Sequence, residues 1–162
     1  MDEEWGVMAV RDAARLSRDQ YFMAIAKAAA RRATCRRRAV GAVVVDRRGR
    51  ILSTGYNGSP EGYPHCEVLC SDPEHEPCRW SVHAEINALL FAENREPDKT
   101  LYVTTGPCRD CALAIANAGV SRVVMGEPYR DPGGLEVLAS GGIGHEYLPP
   151  SEDAPEGGCV HA

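Results

Sequence analysis

The sequence predicts an α/β protein, a three-layer α/β/α sandwich built on a five-stranded mixed sheet. Three observations lead there. Apolar, β-branched runs at residues 40–46, 100–105 and 122–125 alternate with segments of helical pattern, and strands separated by helices at such distances imply parallel crossovers. The first of these runs is followed, across a short Arg-Arg-Gly turn, by a partner strand at 51–56, so the first pair reads as an antiparallel hairpin. Finally, 162 residues with 44% apolar content are enough for one domain with a real core.

Taken in order, residues 1–16 have mixed charge and little periodicity and form a lead-in. Ser17-Arg-Asp-Gln20 is a capping box, with Leu16 placed to staple against Tyr21, so a helix is expected from there to about Arg32. Tyr21, Ile25, Ala28 and Ala29 recur at helical spacing and are expected to form its core stripe. After the hairpin, residues 57–79 hold four prolines, acidic residues and three cysteines. Loops of that length in compact domains are commonly functional or disordered. A helix is expected from His83 to about Glu93, a strand at 100–105, and a helix from Cys108 to Asn117 ended by Gly119. A strand at 122–125, a short helix near 134–139 and a last strand near 145–148 complete a domain spanning 17–148. Residues 149–162 are rich in Pro, Gly and acid and read as a flexible tail, in which Cys159 and His161 are incidental.

No apolar run approaches the length of a membrane span, and the first residues are acidic where a signal peptide would be basic. A cytoplasmic protein with no membrane partner is the expectation. In a reducing compartment, seven cysteines point to metal ligation rather than disulfides. A net charge of −5 argues against a general nucleic-acid binder. Locally the balance is reversed: Arg31, Arg32, Arg36, Arg37 and Arg38 crowd one junction, with Arg47, Arg48 and Arg50 following. These are either solvated cations at a helix end, where they suit the dipole, or contacts for the phosphate of a nucleotide ligand.

The chemistry is concentrated in two stretches, Trp80-Ser-Val-His83-Ala-Glu85 and Thr105-Gly-Pro107-Cys108-Arg-Asp-Cys111. One His and two Cys suit Zn²⁺, and three protein ligands leave the fourth tetrahedral position open to water, the mark of a catalytic rather than a structural site. Glu85, two residues from His83, is poorly spaced for a fourth ligand and well placed as a proton carrier. Both stretches fall at expected helix starts, where the positive end of the helix favours thiolate over thiol. Pro107 fits a first helical turn, where no backbone donor is missed.

The pattern H-x-E followed by P-C-x-x-C resembles that of the zinc nucleobase deaminases. Within the cytidine and deoxycytidylate deaminase superfamily the chain is most similar to the dCMP deaminases, over roughly Asp19 to Tyr147. The matching blocks are Val40-Gly-Ala-Val, Thr54-Gly-Tyr-Asn-Gly-Ser-Pro60, Pro64-His-Cys66, His83-Ala-Glu-Ile-Asn-Ala and Leu101-Tyr-Val-Thr. The resemblance implies hydrolysis of dCMP to dUMP and ammonia, a sugar contact through Asn57, and a homo-oligomer, commonly a hexamer. It also implies control by dCTP with Mg²⁺ and by dTTP. Two positions depart from the family pattern: Gly106 stands where Ser is usual and Arg109 where Pro is usual. A 5-substituted cytosine nucleotide therefore stays open as the substrate, as do another base or a nucleoside on the same fold. A non-catalytic zinc protein is the rival from another class, and the presence of Glu85 speaks against it.

Cys35, Cys66, Cys70 and Cys78 are left over, with His65 and His75 among them. A polar loop cannot bury enough surface to order itself, whereas a closed Cys₄ or Cys₃His zinc supplies folding free energy. The resemblance places two ligands of such a second zinc at Cys35 and Cys66. Cys70 and Cys78 are the other candidates, with His75 as contender.

Overall fold

The computed structural model describes residues 15–69, 80–92 and 97–148. The first helix, α1 (Arg18–Ala30), opens on the expected capping box: the Ser17 hydroxyl accepts from the Gln20 amide, and the Gln20 side chain accepts from the Ser17 amide. The buried face is rotated from the expected one. Phe22, Met23, Ala26 and Ala30 are buried, while Tyr21 is 49% exposed. Phe22 and Met23 remove more apolar surface from water than the alanines of the expected stripe. Tyr21 leans on Phe22 from the solvent side, its ring centroid 4.9 Å away.

The hairpin β1 (Gly41–Val45) and β2 (Ile51–Tyr56) is antiparallel, as expected. It is followed by α2 (Cys66–Leu69), a single turn, then α3 (Ala84–Phe91), β3 (Lys99–Thr105), α4 (Arg109–Asn117), β4 (Val120–Glu127), α5 (Gly133–Ser140) and β5 (Gly144–Tyr147). The strand order is β2-β1-β3-β4-β5. The crossovers through α4 and α5 make β3, β4 and β5 parallel, while β1 pairs antiparallel with β3 as well as with β2. The sheet is therefore mixed.

Both faces of the sheet are covered, which explains why every residue of β1 is buried. Successive side chains of a strand point to opposite faces. Val43 and Val45 join Tyr102 and Val124 under Phe22, Met23 and Ala26 of α1. Ala42 and Val44 face the other way, into a core with Leu101, Val103, Val123 and Met125 beneath α3, α4 and α5. Among the described residues, α1 covers one face and α3, α4 and α5 the other, which makes the three layers. A polar network fastens the single helix: Arg122 donates to both carboxylate oxygens of Asp19, at 2.9 and 2.7 Å, and the Tyr102 hydroxyl donates to Asp19 at 2.7 Å. The Arg122 hydrogen bonds hold the Asp19 carboxyl below its usual range, and burial pushes the Tyr102 phenol up.

Two glycines set how closely helices approach the site. A Cβ at Gly55 would lie 2.3 Å from the Ala84 carbonyl oxygen and 2.4 Å from the Ala88 amide, so only glycine lets the first turn of α3 rest on β2. At Gly134 a Cβ would lie 2.0 Å from the Pro107 carbonyl oxygen, so the start of α5 packs directly against the backbone entering α4. Lys99 is fully buried, and its Nζ donates to the Ala118 carbonyl at 2.7 Å, closing the far end of α4. Among the described residues, no helix is long and apolar enough to cross a membrane.

Candidate metal centre and cleft

The two chemistry-bearing stretches meet because α3 and α4 lie on the same face of the sheet and start at the same end. His83 is the N-cap of α3, reached through a short antiparallel bridge in which Val82 donates to the Gly58 carbonyl at 2.8 Å and accepts from the Gly58 amide at 3.1 Å. Cys108 is the N-cap of α4, and Cys111 lies in its first turn. N-cap side chains ordinarily accept a hydrogen bond from the helix they open. Neither His83 nor Cys108 does so, which leaves both side chains to other partners.

Those partners are each other. His83 Nδ1 lies 3.2 Å from Cys111 Sγ and 3.5 Å from Cys108 Sγ, and the three ligand atoms lie within 4.8 Å of one another. Ligands on a tetrahedral zinc, with Zn–N near 2.0 Å and Zn–S near 2.3 Å, stand about 3.5 Å apart. The trio therefore fits a zinc ion, with Nδ1 rather than Nε2 of His83 turned to it.

The two sulfurs differ in how firmly they hold a proton. Hydrogen bonds from the Cys111 thiol and the His83 ring pull Cys108 down to about 4. The Cys108 thiolate in turn pushes Cys111 well above the thiol range, with burial adding to it. The His83 ring is raised, first by its hydrogen bond with Cys108. A divalent cation takes the place of the held protons in such a cluster. Glu85 lies in the first turn of α3, only 4% exposed, and desolvation pushes its carboxyl up to about 7. A carboxyl poised near neutrality can both take and return a proton.

Above this floor is a cleft of about 340 Å³, within the range of small-molecule sites. Arg37, Arg38, Asn57, Tyr129 and Arg130 line it together with His83, Glu85 and Cys108. Asn57 is buried, at 7% exposure. Of the eight arginines singled out in the sequence, only Arg37 and Arg38 line the cleft. Arg38 also pairs with Glu127 at 2.7 Å, while Arg50 pairs with Asp46 at the hairpin turn. Tyr129 and Arg130 escaped the sequence reading. The available signal was positional: they follow the carboxyl end of a parallel strand, where ligands of open α/β sheets bind.

Gly106 lines the cleft, but a Cβ there would meet Met125 Sδ at 3.2 Å and the Tyr129 amide at 3.3 Å. Its missing side chain thus relaxes the seat of Tyr129. Arg109 is exposed. Cys35 is half-buried on the cleft rim, and buried Cys66 lies 3.6 Å from the Ser59 hydroxyl. Cys70, Cys78 and His75 lie outside the described residues. Among the described residues, His83, Cys108 and Cys111 form the one group of three or more side chains able to hold a metal ion.

Residues 16–127 match the family model described as the cytidine and deoxycytidylate deaminase zinc-binding region. The deoxycytidylate deaminase of Mycobacterium phage D29 is 44% identical over 118 residues, covering 65% of this chain and 91% of the phage protein. The deoxycytidylate deaminase of Saccharomyces cerevisiae is 39% identical over 138 residues, covering 80% of this chain, which spans only 44% of the yeast enzyme's length. The crystal structure of the dCMP deaminase of cyanophage S-TIM5, in complex with dCMP and dUMP, superposes with a TM-score of 0.71 at 33% identity, covering 79% of this chain and 94% of that one. With the matched segment running from the cap of α1 to the end of β4 and including both halves of the metal centre, the chain belongs to the cytidine and deoxycytidylate deaminase family.

Proposed function

We propose that the protein is a zinc-dependent hydrolytic deaminase of a cytosine nucleotide, converting dCMP and water to dUMP and ammonia. The observation that carries this is the meeting of His83, Cys108 and Cys111 beside the buried Glu85, in a cleft also lined by Arg37, Arg38 and Arg130. When bound, zinc activates water for attack on C4 of the cytosine ring. Glu85 takes one proton of the attacking water and passes it to the ring nitrogen N3, where it stays. It then takes the second from the C4 hydroxyl and passes it to the amine, which leaves as ammonia as C4=O forms. The burial of Glu85 keeps bulk water from competing for these protons. Three arginines in the lining, Arg37, Arg38 and Arg130, suit the phosphate of a nucleotide.

The test is turnover of dCMP and of deoxycytidine, followed by ammonia release. The expected kcat/KM for dCMP exceeds that for deoxycytidine by at least about 100-fold, because the arginines have no partner in the nucleoside. Arg130→Gln should lower the value for dCMP by about tenfold and leave deoxycytidine unchanged. Equal values for the two substrates in the native protein would sink the nucleotide reading.

The same family reading extends to a second, structural zinc on Cys35, Cys66, Cys70 and Cys78, with His75 as contender for a place in the set. It extends also to a homo-oligomer answering to a deoxynucleoside triphosphate with Mg²⁺. Support for the second metal is the chemistry of the donors. Support for assembly is the apolar surface on the helices of the site, where Leu90 is 71%, Phe91 74% and Leu113 51% exposed. Metal analysis should find two zinc per chain, falling to one in Cys66→Ser, and light scattering should give the mass of a multimer. One zinc per chain in protein never exposed to chelator would refute the first claim, and a monomer mass the second.

A further inference from the structure

We propose that Asn57 is a positioning residue, whose carboxamide fixes the arginine-bearing segment 37–40 to the metal-centre segment 80–83. The carboxamide is engaged from both ends. Its Oδ1 accepts from the Val40 amide and its Nδ2 donates to the Arg38 carbonyl, each at 2.8 Å. The backbone of the residue adds two more ties to the same stretch: its amide donates to the Val40 carbonyl at 3.2 Å, and its carbonyl accepts from the Thr34 amide at 3.1 Å. Four hydrogen bonds, two to the carboxamide and two to the backbone, thus hold residues 34–40 to one residue that is 7% exposed.

The next residue faces the other way. Gly58 exchanges both its backbone hydrogen bonds with Val82, immediately before His83. Asn57-Gly58 is therefore a joint of two residues, with Arg37 and Arg38 on one side and the start of α3 on the other. Residues 34–40 carry no regular secondary structure, so no helix or strand ladder sets their path. Buried polar groups that lose a partner are costly, and a carboxamide making both bonds fixes this path more tightly than either alone. In the reading of the cleft as a nucleotide site, on which this proposal rests, Asn57 sets the distance between the phosphate-binding rim and the metal.

Asn57→Asp keeps an oxygen for the Val40 amide and loses the donor to the Arg38 carbonyl, so it loosens the arginine segment at small change of volume. Asn57→Ala removes both bonds. For Asn57→Asp the expected result is a KM for dCMP raised at least about tenfold with kcat within about threefold, and a kcat/KM for deoxycytidine, measured at high enzyme concentration, changed by much less. A residue that serves only to contact the sugar would cost both substrates the same factor, and that outcome overturns the proposal. Hydrogen exchange gives a readout independent of turnover. In Asn57→Ala the Val40 amide should exchange at least about tenfold faster, with the amides of the central strand β3 unchanged. Unchanged exchange at Val40 overturns the proposal, and so does a uniform rise across β3, which would mean general destabilisation. A native protein that releases no ammonia from dCMP would instead overturn the deaminase reading, and the exchange result then decides the claim about Asn57.

Discussion

Glu85→Gln is expected to lower turnover of dCMP by at least about 10³-fold while the metal content of the protein stays that of the native chain. The substitution keeps the shape of the side chain and removes only its ability to carry a proton. Glu85 lies in the first turn of α3 behind His83, and its carboxyl is raised because burial disfavours the charged form. An amide carries no such penalty, so the melting temperature of the variant should equal or exceed that of the native protein. Ammonia release, zinc analysis and a thermal melt on the same preparation check all three statements. If zinc disappears together with activity, Glu85 is a ligand or its support, and the assignment of the proton to it fails.

Cys111→Ser is expected to remove the zinc of the cleft and, with it, activity to background. Cys111 is 2% exposed, held in the first turn of α4 with its sulfur 3.2 Å from His83 Nδ1. A serine hydroxyl is a poor replacement, since a buried alcohol does not ionise as a thiol does and zinc at such a site favours sulfur. Native protein treated with a chelator should lose activity in parallel and regain it when zinc is restored, whereas the variant should not. A metal held by His83, Cys108 and Cys111 would join α3 to α4, and a ligand that binds only the folded state stabilises it. The melting temperature should therefore drop on chelation. A variant that keeps both its zinc and its turnover would remove Cys111 from the centre.

Much of this architecture was legible in the chain because it is written in local chemistry. The capping box at Ser17 marks the start of α1 to the residue, since both of its hydrogen bonds are made within one turn. Gly119, with a backbone φ of +74°, marks the end of the α4 segment for an equally local reason. The buried face of α1 lies one position on from the stripe of Tyr21, Ile25, Ala28 and Ala29. Which of several apolar stripes turns inward depends on the sheet it meets, and Val43, Val45, Tyr102 and Val124 select Phe22 and Met23. The antiparallel pairing of β1 with β3 was likewise not written locally, because it joins segments about 60 residues apart through contacts that exist only after collapse.

The candidate centre divides along the same line. The sequence by itself marked out the candidate donors and the candidate proton carrier, because His83, Glu85, Cys108 and Cys111 are residue types whose chemistry does not depend on where the chain goes. It determined too that each half opens a helix, since capping and turn preferences act over a few residues. Only the tertiary structure decided that the halves meet, that Nδ1 of His83 faces the sulfurs, and that Gly55 and Gly134 let helices close on the site at backbone distance. It alone brought Arg130 into one cleft with Arg37 and Arg38, and turned the Asn57 carboxamide to the backbone of 38–40. These are relations between residues distant in the chain, set by which faces the sheet buries and in what order its strands pair, and no local propensity carries them.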